Sequence, residues 1–275
     1  MKYFILLLLA LAVPQEPAAP APKAWRILVT NDDGIEASGL KALVAALDPL
    51  GAVVVSAPAA NRSGSSRSSE IFRRAVQVAA VQIPGADAAW SVDSTPADAC
   101  AYGLTALAGE RGFDLVISGI NAGANIGAFA YYSGTVGAAL EAAGRGVPAF
   151  AISLDRGGLE DLAANYAADF ARAWLERGAT AEVVYSINVP RTKPDALPSA
   201  LAGRVGPAPI QVVGFDSGED GAARVRLASL TDLPNADTDT ALFASGAITV
   251  TPLRTDWTDA AALQALPAWM PQPKP

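Results

Sequence analysis

The sequence predicts a doubly wound α/β sheet with a β-rich C-terminal extension, and three observations carry that prediction. Short apolar runs of strand length alternate with runs of helical periodicity from Arg26 to Leu175. The polar, glycine-containing loops fall just after the apolar runs, at the carboxyl edge of a sheet, where open α/β folds bind ligands. Beyond Val183 the strand-like runs continue without strong helices between them.

The elements follow in order. Ile27-Leu28-Val29 reads as a buried parallel strand that ends at Asn31-Asp32-Asp33-Gly34. Leu40, Leu43, Val44 and Leu47 repeat at i, i+3, i+4, i+7 and mark an amphipathic helix. Val53-Val54-Val55 is a second buried strand, leading into the loop Pro58 to Ser66, and Trp90-Ser91-Val92 another. Thr95-Pro96 starts a helix with a cap followed by proline at the first helical position. Leu115-Val116-Ile117 reads as the central strand and ends in Ser118-Gly119-Ile120-Asn121. A glycine-rich loop then precedes a helix opening at Ser133-Gly134-Thr135. Phe150-Ala151-Ile152 is the next strand, and Leu159 to Leu175 a long helix. Val183 to Ile187, Ile210 to Phe215, Ala223 to Leu227 and Ile248 to Thr251 read as strands of an appended arm that meets another subunit.

Residues 1–24 read as an export signal with an Ala/Pro-rich leader, 25–266 as one domain whose part 183–266 includes the arm, and 267–275 as a loose tail. The signal reading rests on Lys2 followed by an apolar run from Phe4 to Val13, too short for a comfortable membrane span. It implies a periplasmic or secreted mature protein without a stable membrane span; the alternative is a tether by an uncleaved leader.

Composition narrows the chemistry. With 51% hydrophobic and 17% charged residues the 275-residue chain can bury a substantial core. A net charge of -7 and no basic stripe argue against binding to a nucleic-acid polymer. There is no histidine, which removes Ser-His-Asp and Cys-His catalysis and His-ligated zinc. The one cysteine, Cys100, has no internal disulfide partner and reads as inert packing. The chain also lacks a G-x-x-x-x-G-K-[ST] phosphate loop, a G-x-G-x-x-G after the first strand and a G-x-S-x-G nucleophile elbow. Asp237-Thr238-Asp239 follows Leu233-Pro234-Asn235 rather than an apolar strand, and reads as a solvated loop.

What remains is a set of oxygen donors on loops just past strands. Two adjacent carboxylates, Asp32 and Asp33, repel each other and are costly to desolvate without a cation. Ser63 offers a hydroxyl and Asn121 an amide carbonyl. Hard divalent cations such as Mg²⁺ and Mn²⁺ take such ligands. Ser133-Gly134-Thr135 opens a helix, where free N–H groups and the dipole suit a phosphate. Taken singly, each element also has a plainer reading: an ordinary turn at Asn31-Asp32-Asp33-Gly34, a turn cap at Ser63, a helix cap at Ser133.

Four separated motifs carry a resemblance. Asn31-Asp32-Asp33-Gly34-Ile35, Ala57-Pro58 with Asn61-Arg62-Ser63-Gly64, Ser118-Gly119-Ile120-Asn121-Ala122-Gly123-Ala124-Asn125, and Tyr132-Ser133-Gly134-Thr135-Val136 occur in the order seen in the SurE family of survival proteins and 5′/3′-nucleotidases. Thr95-Pro96-Ala97-Asp98 and Ile187-Asn188-Val189-Pro190 extend the resemblance across Arg26 to Pro190, and Thr238-Asp239 and Ile248 to Leu253 carry it more weakly onward. The resemblance implies a Rossmann-like three-layer sandwich and metal-dependent hydrolysis of nucleoside monophosphates or other small phosphomonoesters. Asp32, Asp33, Ser63 and Asn121 would hold Mg²⁺ or Mn²⁺, and Asn125, Ser133, Gly134 and Thr135 would surround the phosphate. Asp32 or Asp33 is the candidate base or nucleophile. The resemblance also implies a homodimer or homotetramer built through the C-terminal arm. Ala128-Phe129-Ala130 departs from the acidic or polar residues common in the family at that place. The rival functions are a non-catalytic nucleotide- or metal-binding module, a broad-specificity exported acid phosphatase, and a serine hydrolase using Ser63 or Ser133.

Overall fold

The computed structural model describes residues 25–193, 198–218, 221–233 and 235–271. The expected export signal at 1–24 and the last residues of the expected tail lie outside them. Among the described residues no helix is long and apolar enough to cross a membrane.

The first strand, β1 (Trp25–Thr30), leads to helix α1 (Ser38–Leu47) and then to β2 (Gly51–Pro58). Next come β3 (Val78–Val81), β4 (Ala88–Val92) and α2 (Pro96–Ala106). The chain returns through β5 (Leu115–Ala122), a short 3-10 turn (Gly127–Tyr131), α3 (Gly134–Gly144), β6 (Ala149–Leu154), α4 (Glu160–Glu176) and β7 (Val183–Val189). β8 (Ala200–Ala202), β9 (Ile210–Ser217), β10 (Ala223–Ser229), α5 (Asp239–Ala244), β11 (Ile248–Arg254) and α6 (Ala260–Ala265) complete it.

Among the described residues nine strands form one sheet, in the order β3-β4-β2-β1-β5-β6-β7-β11-β8. β4, β2, β1, β5, β6 and β7 pair in parallel, while β3 and β11 enter antiparallel. From β1 the chain winds outward through β2 to β4, then returns to place β5 on the other side of β1. That reversal is the topological switch point, where loops diverge and leave a crevice at the carboxyl ends of β1 and β5.

Two apolar layers flank the sheet. Leu40, Leu43, Val44 and Leu47 of α1, all fully buried, share one face with Ala163, Ala167 and Ala171 of α4. α2 and α3 cover the other with small residues, among them Cys100, Ala138, Ala139 and Ala142. Cys100 is fully buried and its thiol is pushed up to about 12, chiefly by burial, which agrees with inert packing. Phe150, Phe170, Trp174 and Tyr185 pack in edge-on and tilted pairs across the α4 side, with centroids 5.1–6.5 Å apart.

Helix starts follow the sequence closely. Thr95 caps α2 by accepting from Asp98 N–H, and Ser133 caps α3 by accepting from Val136 N–H. The C-terminal third is arranged more closely on the main body than its pattern implied. β7 and β11 belong to the main sheet, so only the hairpin of β9 and β10 stands apart as its own two-stranded sheet. Patterning identifies a strand but not the sheet that receives it. Two short helices also went unseen in the sequence: α5 and α6 each span six residues, less than two turns, too short to show a period.

Candidate active site

The turn after β1 is built by Asn31. Its side-chain amide donates to Gly34 O at 2.8 Å and its carbonyl oxygen accepts from Gly34 N–H at 3.2 Å, both in the interior. Gly34 sits at φ +104°, and a Cβ there would stand 3.0 Å from the backbone of Ala60, so the turn requires glycine. Asn31-Asp32-Asp33-Gly34 is therefore a turn as well, closed by the Asn31 side chain. It leaves the two following carboxylates at the switch point.

Asp32 is 2% exposed. Thr135 Oγ1 donates to its Oδ1 at 2.6 Å, and Arg62 N–H donates to its backbone carbonyl at 2.7 Å. The N-terminus of α3 comes so close that a Cβ on Gly134 would lie 2.8 Å from Asp32 Cβ and 2.9 Å from Oδ2. Gly134 thus permits the approach, and Thr135, fully buried, steadies the carboxylate. Burial pushes the Asp32 carboxyl above the ordinary aspartate value, and Asp33 adds to the rise by repulsion. The hydrogen bonds from Thr135 only partly offset these. Asp33 is half-buried; it accepts from Asn61 Nδ2 at 3.1 Å and from Ala122 N–H at 2.8 Å. Asn61 in turn accepts from Ser63 N–H at 2.9 Å. One carboxylate therefore ties together the loops after β1, β2 and β5.

A cavity of about 740 Å³ opens on this edge. Asp32, Ser63, Asn121, Asn125 and Ser133 all line it. Asp33 instead faces a neighbouring cavity of about 1080 Å³, and Asn121 borders both. Gly134 and Thr135 stand behind Asp32 rather than on the wall. Of the eight residues singled out from sequence, five share one cavity, one lies next door and two support Asp32.

Of the supports of the Asn121–Ile126 loop, Asn188 stands in the Ile187-Asn188-Val189-Pro190 motif, while nothing in the sequence marks Ser153. Asn125 N–H donates to Asn188 Oδ1 at 2.7 Å, and its Nδ2 donates to Ser153 Oγ at 2.8 Å. Both partners are buried and come from the ends of β7 and β6. Asn121 Nδ2 donates to Gly123 O at 2.6 Å, which leaves its carbonyl oxygen for a ligand.

Asp239 corrects the reading of Asp237-Thr238-Asp239 as a solvated loop. Asp237 is exposed, but Asp239 is 2% exposed and accepts from Gly127 N–H at 2.9 Å, Gly206 N–H at 2.7 Å and Thr240 N–H at 2.8 Å. It fastens the end of the Asn121–Ile126 loop to the C-terminal segment. Asp98, of the Thr95-Pro96-Ala97-Asp98 motif, is a scaffold of the same kind. Burial pushes it up, but donors from Ser69, Ser94 and Glu70 N–H outweigh burial and hold it below the usual range. The turn after β6 also belongs to this edge. Asp155 and Arg156 line both cavities, and the rule that drew attention to Asp32, polar residues just past an apolar strand, applies to them equally.

The donor set suits a hard cation. The buried Asp32 carboxylate has no lysine or arginine paired with it among the described residues, whereas Arg62 is engaged with Asp93 at 2.9 Å. The described residues hold no cluster of three or more His, Cys, Asp or Glu that could bind a metal, so neutral oxygens would have to complete the shell. Ser63 and Asn121 are placed to provide them.

Comparison with known proteins identifies the family of this fold. Residues 27–207 match the family model described as "Survival protein SurE". A protein of Methanopyrus kandleri named "5'-nucleotidase SurE" is 45% identical over 175 residues, 60% of this chain and 66% of that protein. One of the same name from Geobacter metallireducens is 34% identical over 252 residues, 89% of this chain and 97% of that protein. The crystal structure of the SurE protein from Aquifex aeolicus superposes with a TM-score of 0.79 at 28% identity, covering 88% of this chain and 98% of that one.

Proposed function

This chain belongs to the SurE family, and on that premise we propose that it is a divalent-metal-dependent phosphomonoesterase that hydrolyses nucleoside monophosphates, with 5′/3′-nucleotidase activity. The observation that carries this reading is Asp32, a buried carboxylate raised by burial and by Asp33, facing a cavity shared with Ser63, Asn121, Asn125 and Ser133. Relatives named 5′-nucleotidase support the reaction class.

Asp32, Asp33, Ser63 and Asn121 would hold Mg²⁺ or Mn²⁺, which when bound supplies charge neutralisation and Lewis acidity. The chain supplies the rest. Thr135 keeps Asp32 in place by its 2.6 Å bond, and Ser133, which lines the cavity at the start of α3, receives the phosphoryl oxygens. The Asn125 amide, itself held by Ser153 and Asn188, borders the same space. One carboxylate of the pair takes the proton of an attacking water, or attacks phosphorus itself to give an aspartyl phosphate that a second water hydrolyses to phosphate. The leaving oxygen takes its proton from water or a carboxylic acid, since the chain has no histidine.

The test of the reading is a phosphate-release screen with AMP, 3′-AMP, GMP and p-nitrophenyl phosphate, each with Mg²⁺ or Mn²⁺. Nucleotides are expected to outrun p-nitrophenyl phosphate. Equal rates across the set would favour a broad-specificity phosphatase, and ligand binding without turnover a non-catalytic module.

The pH dependence of stability follows from Asp32. Its carboxyl is raised in the fold, so in chelator the protonated form adds stability that is fully present below the unfolded value, about 3.9. That contribution is lost as pH rises through the raised folded value. The melting temperature of the metal-free protein is expected to carry a component that falls across this window. The component should be missing in Asp32→Asn and relieved by Mn²⁺ in the wild type. A wild-type profile superimposable on that of Asp32→Asn would contradict it.

Two further expectations belong to the same proposal. Val212, Val213, Phe215, Val225 and Leu227 expose apolar side chains on the β9–β10 hairpin, which supports self-association as a dimer or tetramer. Light scattering on the purified chain decides it, and a monomer at micromolar concentration would oppose it. Export to the periplasm or medium is tested by fractionation against a cytoplasmic marker.

A further inference from the structure

We propose that Arg156 is the cation that captures the phosphoryl group of the substrate. The inference deepens the phosphomonoesterase reading and rests on it. A phosphomonoester dianion entering this crevice meets Asp32 and Asp155, and a divalent cation is already balanced by Asp32 and Asp33. A further positive charge is needed to hold the anion. Among the described residues Arg156 is the one Lys or Arg lining either cavity, and it borders both.

The backbone aims it there. Asp155 N–H donates to Val189 O at 2.9 Å, anchoring the loop to the end of β7. Gly158 N–H then donates to Asp155 O at 2.9 Å, closing a four-residue turn with Gly157 at φ +75°. Glycine at the third position of a turn takes this conformation readily, and it sets Arg156 at the second position, on the apex. A Cβ built on Gly123 would stand 3.8 Å from Arg156 Nε and 3.8 Å from Asn121 Nδ2. The guanidinium therefore lies over the same loop that presents Asn121 and Asn125. Arg156 is exposed and has no ion pair or hydrogen bond among the described residues, so its donors are available for a bidentate contact with phosphate oxygens.

The test is calorimetric binding of inorganic phosphate, and separately of adenosine, to the full chain with Mn²⁺, in wild type, Arg156→Ala and Arg156→Lys. Arg156→Ala is expected to weaken phosphate binding by about 10- to 100-fold, the cost of losing a hydrogen bond to a charged group. Adenosine binding and the melting temperature should be unchanged, and Arg156→Lys should recover part of the phosphate affinity. Unchanged phosphate affinity in Arg156→Ala overturns the proposal, as does an equal loss for phosphate and adenosine, which marks a structural role. AMP hydrolysis by the wild type is measured alongside. Phosphate capture through Arg156 without hydrolysis sinks the enzymatic reading and leaves the arginine's role standing.

Discussion

Asp32→Asn is expected to cut phosphate release from AMP by about a thousandfold or more while making the metal-free protein more stable. The loss follows from what the carboxylate does at the switch point. It is the buried member of the pair, and Thr135 and the start of α3 hold it in one orientation. An amide of the same shape keeps the packing but carries no charge for a cation, and a bound metal contributes several kcal/mol to charge stabilisation in the transition state. The gain in stability has the opposite origin. Burial and Asp33 both disfavour the ionised form, so a neutral side chain removes a cost the fold carries when no cation is bound. A rise of roughly 1–2 kcal/mol at neutral pH in chelator is expected, read by thermal or urea unfolding. Lost activity with lowered stability would instead mean that Asp32 holds the fold together.

Asp239→Ala is expected to be the most destabilising substitution near the site, at about 3–5 kcal/mol. Three backbone N–H groups converge on this buried carboxylate, those of Gly127 and Gly206 from distant segments and that of the adjacent Thr240. Truncation leaves all three without an acceptor in a place water reaches poorly. Melting temperature should fall by roughly 10 °C. Asp239→Asn, which keeps one acceptor oxygen, should lose about half as much. Because Gly127 closes the loop carrying Asn121 and Asn125, KM for AMP should rise in Asp239→Asn more than kcat falls. A melting temperature within 2 °C of wild type in Asp239→Ala, a shift of under ~1 kcal/mol for a chain of this size, would contradict the account.

The two aspartates show what sequence could and could not reveal. Asp32 was legible because its signal is local: an apolar strand, two carboxylates, a glycine and an amphipathic helix lie within one short stretch. Helix starts at Thr95 and Ser133 were legible for the same reason, since a cap bonds three residues on. Asp239 was misread because its surroundings along the chain are polar, while its burial comes from Gly127, 112 residues away. Asn125 is legible in its motif, but its supports Ser153 and Asn188 lie 28 and 63 residues off; Ser153 leaves no local mark, and the motif that holds Asn188 does not show that it bonds to Asn125. The division of Asp32 and Asp33 between two cavities was also beyond reach from sequence. It depends on how the turn after β1 meets the loops after β2 and β5. Arg156 is a different case, because it follows an apolar strand as Asp32 does and was available to the same reasoning.

The central claim is that an oxygen site at the switch point makes this chain a metal-dependent nucleotidase. Its most direct test is phosphate release from AMP by the wild-type chain after exhaustive chelation, followed by titration with Mg²⁺ or Mn²⁺. The account predicts no release above background in chelator and full recovery on adding one of the two metals. Undiminished release in chelator, or no release with either metal restored, would contradict it.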